Sequence, residues 1–198
     1  LLGAIAGPAI ARGTSFLLGK EDQQLFDSSI VIHDDPHRPR GLRSRAFDGE
    51  GLPTAPRDIV TGGKITGWLL DTASAKQLGL APTGHASRGG GAAGVTASNL
   101  HLAAGALTPE ALMADIKEGV YLTELIGQGV NPVTGDYSRG ASGFVIRDGR
   151  IAGPIAEFTV AGNLVDMFAA LVAANDLEFR HAVNAPTLRI DGMTVASA

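Results

Sequence analysis

"GFVIRDGRIAGPIAEF", residues 143–158, joins two apolar, partly β-branched runs through Asp148 and Gly149. An Asp-Gly pair between such runs marks a two-residue hairpin turn, because both turn positions take positive φ. The pattern occurs earlier in "RDIVTGGKITGWLLD" (57–71), with Gly62 and Gly63 at the turn. The two stretches match at a constant offset: Ile59, Val60, Gly63, Lys64, Ile65 and Gly67 face Val145, Ile146, Gly149, Arg150, Ile151 and Gly153. This suggests internal duplication, against the plainer alternative that any two glycine-turned hairpins look alike. Hairpins in place of alternating βαβ units predict an α+β fold, with a mainly antiparallel or mixed sheet and a few packed helices.

Composition agrees with that reading. The 198 residues are 44% hydrophobic and 18% charged, enough for one sizeable core, and residues 1–198 read as a single domain. Twenty-seven glycines with 5% aromatic residues favour turns and close strand contacts over a helical bundle. A net charge of −4 opposes an extended nucleic-acid surface, which needs a basic field. With no cysteine, the chain offers no disulfide, thiolate or Cys-ligated zinc. The opening "LLGAIAGPAIARGTSFLLG" lacks a basic flank, is broken by Gly3, Gly7 and Pro8, and is too short to span a bilayer. The absence of an initiator Met is read as the interior of a longer protein whose N-terminal domain precedes it.

Outward from the hairpins, "DQQLFDSSIVI" (22–32) ends as a strand and leads into a long polar loop, "HDDPHRPRGLRSRAFDGEGLP". "TASAKQLGL" reads as a short helical turn stopped at Gly79. In "TPEALMADIKEGV", Thr108 caps a helix with Pro109 at its first position, and Leu112, Ile116 and Val120 recur at every fourth residue. In "GNLVDMFAALVAAND", Asn163 caps a helix with a stripe of Leu164, Met167, Phe168, Leu171 and Val172, read as core. "APTLRIDGMTVAS" predicts a strand, a turn at Asp191 and Gly192, and a short return.

Local chemistry gives few leads. His33 and His37 with Asp34 and Asp35 are metal-ligating types, but Pro36 prevents the helix that would align them, and a polar turn is the simpler reading. The following Arg38, Arg40, Arg43 and Arg45 suit carboxylates, of a peptide terminus or of a partner's acidic patch, or they pair with Asp48 and Glu50. "GGGAAG" (89–94) satisfies G-x-G-x-x-G without the strand and helix a dinucleotide site requires. No G-x-S-x-G surrounds Ser87, Ser138 or Ser142, and His85, His101 and His181 stand alone. "GQGVNPVTGDYSRGASGF" (127–144) remains, with Asn131, Asp136, Tyr137, Ser138 and Arg139 on a backbone rich in glycine. It lacks the Lys-Ser/Thr ending of a phosphate loop, and suits an adjoining strand that accepts an extended peptide.

Residues 127–168 together with "GLRSRAFDGEGLPT", "WLLDTASAKQLGLAPTGHA" and "NDLEFR" resemble the C-terminal region of the TldD/TldE family, on the TldE or PmbA side. The resemblance covers nearly the whole chain. It implies a cytoplasmic two-subunit metallopeptidase acting on peptides or unfolded proteins, in which a TldD-type subunit carries zinc and this side is its partner, with a homo-oligomer as the other assembly. Members are also called modulators of DNA gyrase, which implies as the alternative a non-proteolytic regulator. The zinc-bearing members use an HExxH helix and a later Cys. The corresponding "LLGAIAGPAIARGTSF" has neither His nor Glu, and "NDLEFRHAVNAPTLRI" has no Cys. No zinc ligand or catalytic residue is therefore carried over to this chain. The expected contribution is Asn131, Asp136, Tyr137, Ser138 and Arg139 lining a substrate chamber, with no contact to nucleic acid or membrane.

Overall fold

The computed structural model describes residues 1–89 and 94–197. Its elements are α1 (Gly7–Ala11), β1 (Ile32–Asp34), β2 (Arg57–Thr61), β3 (Lys64–Ile65), α2 (Thr72–Leu78), β4 (Ala86–Ser87), β5 (Gly94–Val95), β6 (Leu100–Leu102), α3 (Pro109–Met113), β7 (Glu118–Ile126), β8 (Asp136–Arg147), β9 (Arg150–Asn163), α4 (Leu164–Ala169), β10 (Leu171–Ala173), β11 (Val183–Asn184), β12 (Leu188–Ile190) and β13 (Thr194–Ser197). The fold is α+β, mostly sheet with short helices. A five-stranded mixed sheet runs β11-β6-β1-β2-β3, and a four-stranded antiparallel sheet runs β13-β9-β8-β7. Residues 90–93 of the "GGGAAG" stretch lie outside the described residues.

Both hairpins form with the expected turns. Asp148 and Gly149 have φ of 46° and 74°, Gly62 and Gly63 have 56° and 75°, and each turn joins directly opposed residues, Arg147↔Arg150 and Thr61↔Lys64. They share this turn but lie in different sheets: β3 is a two-residue edge, whereas β8 and β9 are the longest strands.

Capping residues behave as read, and helix lengths do not. The side chains of Asp71, Thr108 and Asn163 accept from Ser74, Ala111 and Val165 N–H groups, and Gly79 ends α2 at φ 68°. The helix begun at Pro109 stops at Met113, and Val120 lies in β7. The helix begun at Leu164 stops at Ala169, and Leu171 and Val172 lie in β10, Leu171 buried and Val172 exposed. β12 does not return on itself: it pairs with β10, and past Gly192 the chain crosses to pair β13 with β9. β1 begins later than expected, at Ile32, and takes His33 and Asp34 out of the polar loop.

The main core lies between the five-stranded sheet and helices α1, α2 and α4, with Ile5, Leu17, Ile59, Val60 and Leu69 at its centre. Phe168 on α4 stacks on Phe26 at 4.7 Å and meets Phe16 at 6.2 Å. Ala141, Phe158 and Val160 form a smaller core on the four-stranded sheet, with Tyr137 and Met193 touching both clusters. Thus the long hairpin is fastened near Tyr137, and its far end carries exposed Phe144 and Ile151. Replacing Phe168 by Ala is expected to destabilise the fold by about 3–5 kcal/mol in denaturant titration. Val172→Ala, on the exposed side of β10, should stay within about 0.5 kcal/mol of the parent.

Candidate functional site

Strand β7 is an outer strand of the four-stranded sheet, so one side of its backbone is left open. Its C-terminal half and the loop beyond carry apolar side chains outward: Leu125 is 38% exposed, Ile126 59%, Val130 48% and Val133 56%. At the other end of β7, Val120 and Leu122 line a cavity of about 390 Å³ with Leu112 and Ile116, and with Ile190 and Met193. The rim of this cavity carries Arg189, which pairs with Asp115 and Asp191.

The loop between β7 and β8 is built by its own polar groups. Asn131 Oδ1 accepts from the N–H groups of Val133 (3.0 Å) and Thr134 (3.3 Å), and its backbone pairs with Asp136 and Gly135. Asp136 accepts from Thr134 Oγ1 at 2.6 Å and from Asn163 Nδ2 at 3.2 Å, and these bonds lower its pKa. Ser138 N donates to Gly129 O at 2.8 Å, and a Cβ on Gly129 would collide with Ser138 O, so only glycine fits there. Asp136 to Arg139 are residues of β8, not of a free loop, and alternation sends Asp136 and Ser138 to one face and Tyr137 and Arg139 to the other. Tyr137 packs against both cores. Arg139 Nη2 donates to Leu125 O at 3.0 Å, while its Nε is buried without a hydrogen-bond partner among the described residues. Arg139 therefore reaches β7 at Leu125, Ser138 lies exposed on the opposite face of the sheet, and Asn131 and Asp136 shape the loop.

A second polar region went unread in the sequence because it is assembled from distant segments. Asp34, fully enclosed at the end of β1, accepts from Ser98 N at 2.8 and 3.1 Å and from His85 Nε2 at 3.2 Å. A carboxylate can only accept here, so His85 Nε2 donates to Asp34, while its Nδ1 lies 2.8 Å from Thr83 Oγ1, a hydroxyl that also lies 3.3 Å from Leu70 O. This hydroxyl–imidazole–carboxylate order resembles a nucleophile relay, but Thr83 Oγ1 also accepts Leu70 N at 2.8 Å and His85 is buried. The relay is a structural tie. Asp48, also buried, accepts from the N–H groups of Glu50, Leu52 and Ala86 at 2.9, 3.0 and 3.0 Å. Burial pushes its pKa up, but these three donors and the charge of Arg45 bring it below the ordinary value.

Across the five-stranded sheet, Asn184, His101, His33 and Asp58 oppose one another on β11, β6, β1 and β2. His33 Nδ1 donates to Asp58 at 2.7 Å, His101 meets the His33 ring at 5.6 Å and the Phe179 ring at 5.1 Å, and Arg38 lies 3.3 Å above Phe179. A zinc ion would need three or four His, Asp, Glu or Cys side chains converging on one point. No three converge among the described residues. His33 turns to Asp58, His37 to Thr54 and His85 to Asp34. These side chains do not fit a zinc site.

Two predictions test this region. Asp48→Ala strips the acceptor from three backbone N–H groups and should cost about 3 kcal/mol in thermal or denaturant unfolding. His101 has its pKa lowered by burial and by the charges of His33 and Arg38, against the pull of Asp35 and Asp34. Its unfolded form binds a proton near pH 6.5, so the unfolded state protonates first and stability falls as pH drops through that value toward the folded pKa. Tm measured from about pH 7.5 to 5.5 should fall less in His101→Phe than in the parent.

The model of the PmbA/TldA metallopeptidase C-terminal domain matches residues 1–197. The chain is 41% identical over 197 residues to Metalloprotease PmbA of Escherichia coli O157:H7, covering 99% of this chain and 42% of that protein. It is 41% identical over 194 residues to the Metalloprotease PmbA homolog of Haemophilus influenzae, covering 98% and 42%. The chain thus spans less than half the length of these relatives. Its fold matches the crystal structure of a Bacteroides thetaiotaomicron protein described as a candidate modulator of DNA gyrase, with TM-score 0.88, 30% identity, and coverage of 100% of this chain and 43% of that one. TldE from Thermococcus kodakarensis superposes with TM-score 0.85 at 25% identity, covering 100% and 46%. With its full length matched, and with the hairpins and loop that carry the likeness in place, the chain belongs to the PmbA/TldD metallopeptidase family, of which it forms the C-terminal domain.

Proposed function

We propose that this chain is the peptide-handling part of a TldE-like subunit, which works with a zinc-bearing TldD-type partner as one metallopeptidase. The observation that supports this reading is the open side of β7, with Leu125 and Ile126 exposed on its two faces and Val130 and Val133 exposed on the loop beyond. An extended peptide adds to such an edge through main-chain hydrogen bonds, and its alternate side chains meet whatever apolar surface lies beside the strand. Here that surface comes from these four side chains, with Arg139 beside Leu125, Ser138 on the opposite face, Asn131 and Asp136 holding the loop in shape, and Tyr137 anchoring the hairpin to both cores. Unfolded chains present both requirements, free backbone and apolar side chains. In this reading the protein acts in the cytoplasm as one half of a hydrolase heterodimer, and the metal chemistry belongs to the partner.

The test uses the full-length protein, a TldD-type subunit and an unstructured peptide. Cleavage is expected to need both proteins, and the double substitution Ile126→Asp with Val130→Asp should raise KM at least about tenfold with little change in kcat. Unchanged kinetics in that variant would remove β7 and its loop from substrate binding. Stoichiometric zinc and peptide hydrolysis by the full-length protein alone would overturn the division of labour. The solved relatives described as candidate gyrase modulators favour a second reading, a regulator that binds without cleaving. Binding of a target with no cleavage by the mixture would support it.

A further inference from the structure

The cavity at the N-terminal half of β7 has no part in the peptide edge proposed above. It lies where the chain changes sheets: β12 pairs with β10, and past Gly192 the next strand pairs with β9. The crossing leaves a gap of about 390 Å³ between the four-stranded sheet, the α3 segment and β12. Ile146 and Val160 line it as buried side chains, and Ile116, Val120, Ile190 and Met193 are half-buried around it. Ligand pockets begin at about 300 Å³. Water needs several polar partners to occupy a cavity, so apolar walls favour an apolar occupant.

The rim decides the charge of that occupant. Arg189 donates through Nε to Asp191 Oδ1 at 2.9 Å and through Nη2 to Asp191 Oδ2 at 3.0 Å and Asp115 Oδ2 at 3.3 Å. Its Nη1 donates to Asp115 Oδ1 and, at 2.8 Å, to Leu112 O. A guanidinium has five N–H groups, so none is left for an arriving anion. The carboxylates are in the opposite position. Their side chains are 72% exposed at Asp115 and 64% at Asp191, and their oxygens have lone pairs to spare for another donor. Two carboxylates against one guanidinium leave the group negative. Glu118 also lines the cavity, but it opposes Arg147 across the ladder and adds no surplus.

We infer that this cavity is a binding site for an apolar group bearing a primary ammonium, with its body between β7 and β12 and its head on Asp115 and Asp191. A carboxylate of the same shape would meet two groups of its own sign with no donor free, and a neutral molecule would leave the rim unused. Two sources offer this chemistry: a free apolar amine, and the N-terminal residue of a peptide that begins with an apolar side chain. The inference needs neither the two-subunit reading nor the peptide edge.

The test uses the full-length protein, labelled at its methionine methyl carbons, with phenethylamine as the probe. Met113 and Met193 line the cavity, and Met167 lies in the main core as a control. Phenethylamine should shift the signals of Met113 and Met193 and leave that of Met167 in place. Hydrocinnamate, the same body with a carboxylate, should bind at least about tenfold more weakly. Asp115→Asn with Asp191→Asn should abolish the preference, because the ammonium loses its partners and Arg189 regains free donors. Val120→Phe, which puts a larger side chain at the cavity, should abolish binding of the amine. Comparing the two probes on the parent protein needs no variant, so a variant that unfolds leaves the test standing. Shifts from the tripeptide Phe-Ala-Ala that vanish when its N-terminus is acetylated would support the inference with peptide as the source. Shifts from the amine and none from the tripeptide would support it with a free molecule as the source. No shift with either, equal affinity for amine and carboxylate, or shifts confined to other methionines would overturn it.

Discussion

The turn at Asp148 and Gly149 sets the register of the two longest strands, and the rest of the four-stranded sheet follows from it. With φ positive at both positions, Arg147 opposes Arg150, and after register shifts at Val145/Ile146 and Ala141/Gly143 the pairing reaches Asp136 opposite Asn163. β13 closes one side of the hairpin and β7 the other, so these two are the edge strands, and β7 is the longer of them. A slip of one residue would exchange the faces of Ala141, Phe158 and Val160 with those of their exposed neighbours. Register, core and open edge therefore form one constraint.

A second constraint organises the other sheet. Its central strand β1 has only three residues, too few for backbone pairing alone to hold the surrounding loops. Buried carboxylates complete the work: Asp34 joins β1 to Ser98 and His85, and Asp48 joins the arginine-bearing loop to Ala86. Burying a charge is tolerable only when it is well supplied with donors, and both groups are. The same ties leave Arg40 and Arg43 without an ion pair among the described residues and Leu42 and Phe47 exposed. Interior order and outward display have one cause.

How much of this the sequence disclosed depends on the range of the signal. Turns and caps act locally, and Gly62, Gly63, Asp148, Gly149, Thr108 and Asn163 all occupy the positions their chemistry implies. Helix lengths were misread for a physical reason. A four-residue spacing fits a helical face but is also a multiple of the strand period, so Ile116 and Val120 satisfied both patterns, and the sheet took Val120. Leu171 and Val172 went the same way when β12 offered β10 a pairing partner. Gly192 marks a real turn, but which sheet the chain enters after it depends on β9, which no local pattern reveals. The Asp34 and His85 tie spans segments far apart in the chain and left no spacing to read. Of the expected site residues, Arg139 bonds to β7 at Leu125, Ser138 is exposed on the other face of β8, Tyr137 packs on the cores, and Asn131 and Asp136 build the loop.

Under the proposed function, extended peptide adds to the open side of β7. Hydrogen–deuterium exchange on the full-length protein, mixed with an inactivated TldD-type subunit so that any bound peptide is not cut, reads this directly. Exchange of amides between Thr123 and Val133 is expected to slow when an unstructured peptide is added, with the amides of β1 and β6 unchanged. Peptide binding that leaves Thr123 to Val133 exchanging as before, while another surface becomes protected, would contradict it.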